Sequence, residues 1–324
     1  MSALNQFSCL TISANTGIGA CPVNFKNIVG AILTPKGFKA TTASLAAFKT
    51  ALINAAQAAQ KSSRLYPVYD FRPLADNSEA PVIQTFPTGQ KVVVREGVSD
   101  WTFQFIAGGI DLLKRLRLLN AASTSYDFYF VDSQNFILGV SDEENDALMA
   151  IPSDGGFFWA HPWKSNDGSK VAEYSLQFTF LPKYINELLG YVKADFDVQS
   201  TVFGLKDVVL SSPSVNVTSG SYNVAVKLKD GGEDMGGRYE TELETIANWA
   251  PKNKATGGAI TVTSSTYVPG TPGYFTLALS TADPDYPDIP GNITFGLAAP
   301  LVLAANGLEG FESNTVDIAS NTAP

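Results

Sequence analysis

The run Val171-Ala-Glu-Tyr-Ser-Leu-Gln-Phe-Thr-Phe180 sets Ala172, Tyr174, Leu176, Phe178 and Phe180 on one side. Glu173, Ser175, Gln177 and Thr179 fall on the other. A repeat of two residues is the mark of a strand in a sheet with one buried face. Pro182 stops the pattern, and Tyr184 to Lys193 reads as a short helix before a boundary near Asp195. Upstream, Tyr126–Asp132 and Phe136–Val140 predict a hairpin around Ser133-Gln134-Asn135. Lys91–Glu96 and Asp100–Ile106 predict another around Gly97. The fold class is therefore β-rich (α+β), with helices set beside the strands.

Two longer helices are also predicted in this first part. Leu45, Phe48, Leu52, Ala55 and Ala59 recur every three or four residues within 43–62, with Thr41, Thr42 or Ser44 as caps. Gly108-Gly109 opens the second, where Ile110, Leu113, Leu116 and Leu119 share a face. Residues 1–40 read as an extended arm, with its best strand at Asn27–Leu33. Tyr66–Gly89 reads as a long polar connection carrying Pro67, Pro73, Pro81 and Pro87, of a length that implies function or ordering by a partner.

Charge separates the chain in two. The formal charge is −9 over 324 residues. Residues 1–194 hold 16 acidic and 16 basic side chains, so 195–324, with 15 acidic and 6 basic, supply all of it. We read 1–195 as one domain and 196–324 as another. The second reads as all-β, with strands at Val202–Leu210, Ser221–Leu228, Ala259–Val262, Gly273–Ser280 and Gly291–Leu297. That is a sandwich of immunoglobulin-like size without the Cys…Trp…Cys signature. Residues 231–237 read as a flexible loop, with a hairpin tip as the alternative, and 313–324 as a frayed tail. Neither domain is basic enough to grip phosphate backbones. No apolar run approaches the ~20 residues of a membrane span, and MSALNQFSCL lacks the basic and apolar regions of a secretory signal.

Motifs for chemistry are scarce. With one His and two Cys, catalysis is disfavoured, and no catalytic, cofactor-binding or metal residue is assigned. His161 lies in Phe157-Phe-Trp-Ala-His-Pro-Trp163 without a nucleophile motif and reads as structural, packed among aromatics. The aromatic run itself is alternatively an exposed carbohydrate or partner platform. Gly17-Ile-Gly19 lacks the third glycine of a dinucleotide fingerprint. Cys9 and Cys21 read as reduced thiols, with one short disulfide as the alternative. Asp283-Pro-Asp-Tyr-Pro-Asp288 reads as a solvated, proline-stiffened turn rather than a calcium loop, and Asp142, Glu143, Glu144 and Asp146 as an acidic, solvated loop just after a strand. Asn216-Val-Thr and Asn292-Ile-Thr match the glycosylation pattern but carry little weight here.

The order of elements carries a resemblance. Trp101-Thr-Phe-Gln-Phe is followed by Gly108-Gly109-Ile-Asp-Leu-Leu-Lys-Arg-Leu, Leu119-Asn120, Tyr126-Asp-Phe-Tyr-Phe-Val-Asp132 and Phe136-Ile-Leu-Gly139. This resembles structural proteins of tailed bacteriophages, most of all major tail tube proteins with an immunoglobulin-like C-terminal domain. The resemblance implies a tube-like β-sandwich or barrel module with flanking helices over about 25–195 and an immunoglobulin-like sandwich over 196–324. It implies a non-enzymatic virion subunit that self-assembles in the host cytoplasm into stacked, hexameric rings. Its partners would be copies of itself and other virion proteins, with DNA only as passing cargo and no membrane span. Ring and stacking contacts would come from 1–40 and 66–89, and lumen-facing hairpins from 91–106 and 126–140. A capsid-decorating or head-auxiliary protein is the alternative. A surface adhesin or carbohydrate-binding module is a further one.

Overall fold

A computed structural model describes residues 3–4, 27–72, 75–105, 109–120, 126–153, 156–164, 174–212, 220–229, 232–287, 292–308 and 310–318. The chain forms two compact units, 1–56 with 60–203, and 57–59 with 204–324.

In chain order the first unit contains β1 (Ile28–Pro35), β2 (Lys39–Thr41), α1 (Leu45–Ala56), β3 (Tyr66–Tyr69), β4 (Ala75–Asp76), β5 (Val82–Thr85), β6 (Lys91–Arg95) and β7 (Ser99–Phe105). It continues with α2 (Gly109–Asn120), β8 (Tyr126–Asp132), β9 (Phe136–Asp142), β10 (Ala147–Met149), β11 (Phe158–Ala160), β12 (Tyr174–Phe180), α3 (Lys183–Asn186), β13 (Leu189–Lys193) and α4 (Val198–Thr201). Seven strands make one sheet in the order β2-β10-β9-β8-β1-β3, with β13 also on β9. A second sheet runs β11-β12-β7-β4, and β5 pairs with β6.

Strand β8 shows how the layers join. Phe128 and Phe130 project into a cluster with Phe103, Phe158, Phe178 and Phe180 from the four-stranded sheet. Tyr129 and Val131 project the other way, onto Ile32, Leu148 and the α1 residues Phe48 and Leu52. A sheet covered on both faces has no polar side, so β8 is a near-continuous apolar run. The Phe178 ring meets Phe128 at 5.0 Å and Phe130 at 5.3 Å, both edge-on. That geometry suits the ring quadrupoles.

The β-rich class holds, and several local expectations need correction. Residues 91–106 are not one hairpin: β6 pairs with β5, whereas β7 pairs with β12 and β4. The reason lies at Gly97, where a Cβ would come within 1.8 Å of the Glu79 carbonyl oxygen. Residues 97–100 run beside 77–79, with the Glu79 amide donating to Val98 and the Asn77 amide to Asp100. Residues 126–140 do form a hairpin, but β8 is buried along nearly its whole length and β9 over Phe136–Val140, so no lumen-facing surface comes from them.

The supposed connection 66–89 contains β3, β4 and β5. Its Pro67 is tolerated because β3 is the sheet's outermost strand, where a missing N–H breaks no ladder. Helix α1 stops at Ala56, short of Ser62, because the Leu65 amide returns to the Ala55 carbonyl and turns the chain toward β3. Ser44 caps it, accepting from the Ala47 amide at 3.1 Å. Tyr184–Lys193 is a single turn, α3, followed by strand β13 on β9. The first unit runs on to Phe203, since Val198 and Val202 are buried in the α1-side cluster. Burial of Tyr69 in this region pushes its phenol up, and its hydroxyl donates to the Val202 carbonyl at 2.7 Å.

The second unit is β-rich but not all-β. Its elements are β14 (Lys206–Ser211), β15 (Ser221–Leu228), α5 (Met235–Arg238), α6 (Glu240–Leu243), β16 (Lys252–Asn253), β17 (Val262–Val268), β18 (Tyr274–Leu279), β19 (Ile293–Phe295), α7 (Pro300–Ala305), β20 (Phe311–Ser313) and β21 (Val316–Ile318). Sheets β17-β18-β15-β14-β20 and β16-β19-β21 share one core that includes Tyr222, Val224, Phe275, Leu277, Ile293 and Phe295. Strands β14 and β20 run parallel.

Residues 232–237 are not a flexible loop. Met235 is buried, and Asp234 accepts from the Gly237 amide, the Tyr267 hydroxyl and the Gly273 amide. Gly273 has no room for a side chain, because a Cβ would sit 2.0 Å from the Tyr267 oxygen. Of the tail, Ser313 ends β20 and Val316–Ile318 form β21 on β19 rather than fraying, while residues 319–324 lie outside the described residues.

Candidate assembly surface

The β5–β6 ribbon is the most unusual surface of the first unit. Val82, Ile83, Phe86, Val92, Val93 and Val94 are exposed by 42–60%. The register sets Ile83 against Val93 and Gln84 against Val92. Neighbouring residues of a strand point to opposite faces, so Val93 lies on one face of the ribbon and Val92 and Val94 on the other. A lone two-stranded hairpin is marginally stable in water, and apolar side chains on both of its faces need cover.

Its turn is well made. The Phe86 amide donates to Gln90 and the Gly89 amide to Phe86, at 2.8 and 2.9 Å. Gly89 has φ +82°, a conformation that favours glycine. Lys91, next to the turn, makes no ion pair among the described residues.

At the ribbon's base lies a cleft of about 470 Å³. Trp101, Pro182 and Ile185, with Val93 of the ribbon itself, give it apolar lining, and Asp76, Glu79 and Glu96 bring three carboxylates. Asp76 accepts from the Ser78 amide and hydroxyl. Glu79 is bridged by Arg95 at 2.9 Å, the one cation that meets the group among the described residues. The cleft therefore keeps a net negative charge at neutral pH.

A second surface lies on the outer side of the four-stranded sheet. In Phe157–Trp163, Phe158 and Ala160 face the core, while Phe157, Trp159 and Trp163 are 36–49% exposed. His161 is half-buried and hydrogen-bonded rather than packed inside an aromatic cluster. Its Nε2 lies 3.1 Å from Gln177 Oε1, and Gln177 Nε2 donates to Asp100 at 2.7 Å. The polar row thus crosses β11, β12 and β7. Alternation hid this, because it assigned Gln177 to a solvated face without showing that His161 and Asp100 flank it. Strand β11 is an outer strand, and Asn120 at the end of α2 closes it by accepting from the Ala160 amide and donating to its carbonyl, both at 2.8 Å.

The remaining sequence candidates fall as follows. Asp142 pairs with Lys39 at 2.6 Å, which holds its carboxyl below the usual range. Asp283 accepts from the Thr261 hydroxyl and amide, with the same consequence, and Asp285 donates its amide to Asp283. Both carboxylates thus tie their turns to distant segments, at Lys39 and Thr261. Cys9, Cys21, Gly17, Gly19, Asn216 and Asp288 lie outside the described residues. No group of three or more His, Cys, Asp or Glu fit for a metal occurs among the described residues. No described helix is long and apolar enough to cross a membrane.

These features define a β-rich chain of two units with an uncovered apolar ribbon. No protein-family model, curated protein or solved structure matches it.

Proposed function

We propose that the chain is a non-enzymatic structural subunit of a tailed-bacteriophage virion, most like a tail tube protein that self-assembles into stacked rings forming a conduit for DNA. The observation that carries this reading is the β5–β6 ribbon, with six apolar side chains exposed over its two faces. Exposed patches of this kind mark protein–protein contacts in soluble proteins. The three-layer packing of the first unit supports it by giving the ribbon a stiff base. The two sheets around one core in the second unit support an immunoglobulin-like decoration over 196–324, from which parallel β14–β20 and helices α5 to α7 depart.

Negative-stain microscopy and sedimentation of the purified full-length chain test the proposal. Rings or tubes are expected, and a strict monomer at high concentration overturns it.

One observation favours a second reading, a carbohydrate-binding module. Trp159 and Trp163 stand exposed beside the His161–Gln177–Asp100 row. Aromatic faces with adjacent hydrogen-bonding groups suit sugar rings. Specific glycan binding that is lost on Trp159→Ala would favour it over assembly.

A further inference from the structure

The ribbon and the cleft at its base are complementary, yet one chain cannot join its own. Strand β5 holds four residues and rises about 3.4 Å per residue, so the turn stands roughly 14 Å from the base. The tip carries Phe86 and Lys91, a cation without an ion pair among the described residues. The cleft offers apolar walls at Trp101, Pro182 and Ile185, with Glu96 among its carboxylates.

The geometry points to a head-to-tail contact in which the ribbon tip of one copy enters the basal cleft of a second copy. This rests on the assembly reading above and names its contact. Phe86 fills the apolar part, and Lys91 meets Glu96 and Asp76.

Three facts favour a second copy as the occupant. The charges are opposite, with one tip cation against three cleft carboxylates offset by Arg95 alone. The exposed side chains amount to a few hundred Å² of apolar surface, whereas a stable partner contact takes about 800 Å² from each side. Covering one ribbon face is therefore too little, and enclosure of the tip with both flanks is needed. Finally, tip and cleft are different surfaces of the same chain. Such a contact repeats, closing into a ring where the rotation permits and otherwise growing as a filament.

The test uses the full-length chain in sedimentation velocity over a concentration series, with K91E, E96K and their equimolar mixture. K91E sets a carboxylate against those of the cleft, and E96K sets a cation opposite Lys91 and brings the cleft to net zero, so each variant alone should raise the concentration needed for assembly by at least about tenfold. In the mixture, the K91E tip meets the cation at position 96 of E96K and the Lys91 tip of E96K meets the native cleft of K91E, so assembly should return to within about threefold of wild type. Only a contact between copies is rescued by mixing. Single variants that assemble like wild type, or a mixture no better than its parts, overturn the tip-to-cleft contact and leave the assembly reading standing. A wild-type chain that never assembles overturns both.

Discussion

Strands β8 and β6 are both apolar in sequence and opposite in fate. Tyr126-Asp-Phe-Tyr-Phe-Val-Asp132 is buried almost throughout, between the four-stranded sheet and α1. Lys91-Val-Val-Val-Arg95 is exposed at every position. Hydrophobicity alone does not separate them. What differs is company: β8 has strands on both sides and a layer over each face, whereas β6 pairs with β5 alone and stays exposed along its length, with Val93 on the rim of the cleft. A run of Val promotes extended backbone by fitting a pleated surface. It does not determine whether the surface that covers it belongs to the same chain.

The contrast is tested most severely at Phe178. It is fully buried, with rings from Phe103, Phe128, Phe130 and Phe158 around it. Phe178→Ala should cost about 3–5 kcal/mol through lost burial and a residual cavity. Chemical denaturation followed by aromatic near-UV circular dichroism reads this out. A loss below about 1 kcal/mol would mean that the two sheets are not packed as described.

A smaller effect is expected at Asn120, which closes the outer strand of the same sandwich. Asn120→Ala leaves the buried Ala160 amide and carbonyl without their partner and should cost about 1–3 kcal/mol. Asn120→Asp is the control, because it keeps the acceptor for the Ala160 amide and loses the donor. Equal stability of wild type and Asn120→Ala would show that β11 is not held by α2.

How far the sequence could be read follows from the same contrast. Alternation in β12 is a local signal, and it placed Tyr174, Leu176, Phe178 and Phe180 on the buried side. The opposite side was less legible. Ser175 and Thr179 are buried too, and Thr179 exchanges hydrogen bonds with the Phe157 backbone. The pairing of 91–96 with 100–106 was the natural local choice, yet the true partners of 97–101 lie at 75–79. The close approach at Gly97 and Glu79 that decides it exists only in three dimensions. The same holds for Pro67, which reads as a breaker until β3 is seen to be an outermost strand. In the candidate surface, Val92–Val94 was visible as a strand, but its exposure was not, because exposure depends on what fails to pack there.

His161 stands between the extremes. It is half-buried, with one side-chain hydrogen bond to Gln177. His161→Gln should therefore change stability by about 1 kcal/mol or less, and it should leave assembly intact. Screening wild type and variant against esters, glycosides and phosphate esters checks the non-enzymatic proposal at the same residue. Turnover in wild type that the variant abolishes would overturn that proposal.

The smallest effect on folding is expected at Val93, and it sharpens the comparison most. Val93 is 55% exposed, so Val93→Ser removes little surface that folding had buried. What it does remove is the cross-strand contact with Ile83, worth about 0.2–1 kcal/mol, and a small part of the cleft wall. Denaturation at concentrations below assembly should register no more than that. The same substitution puts a hydroxyl where the assembly reading needs an apolar contact, so the concentration at which copies associate should rise while the unfolding curve barely moves. Phe178→Ala should do the reverse, weakening folding first and assembly only through it. If Val93→Ser destabilised the dilute chain as much as Asn120→Ala, the ribbon would have to be covered by its own chain, and β6 would belong with β8 after all.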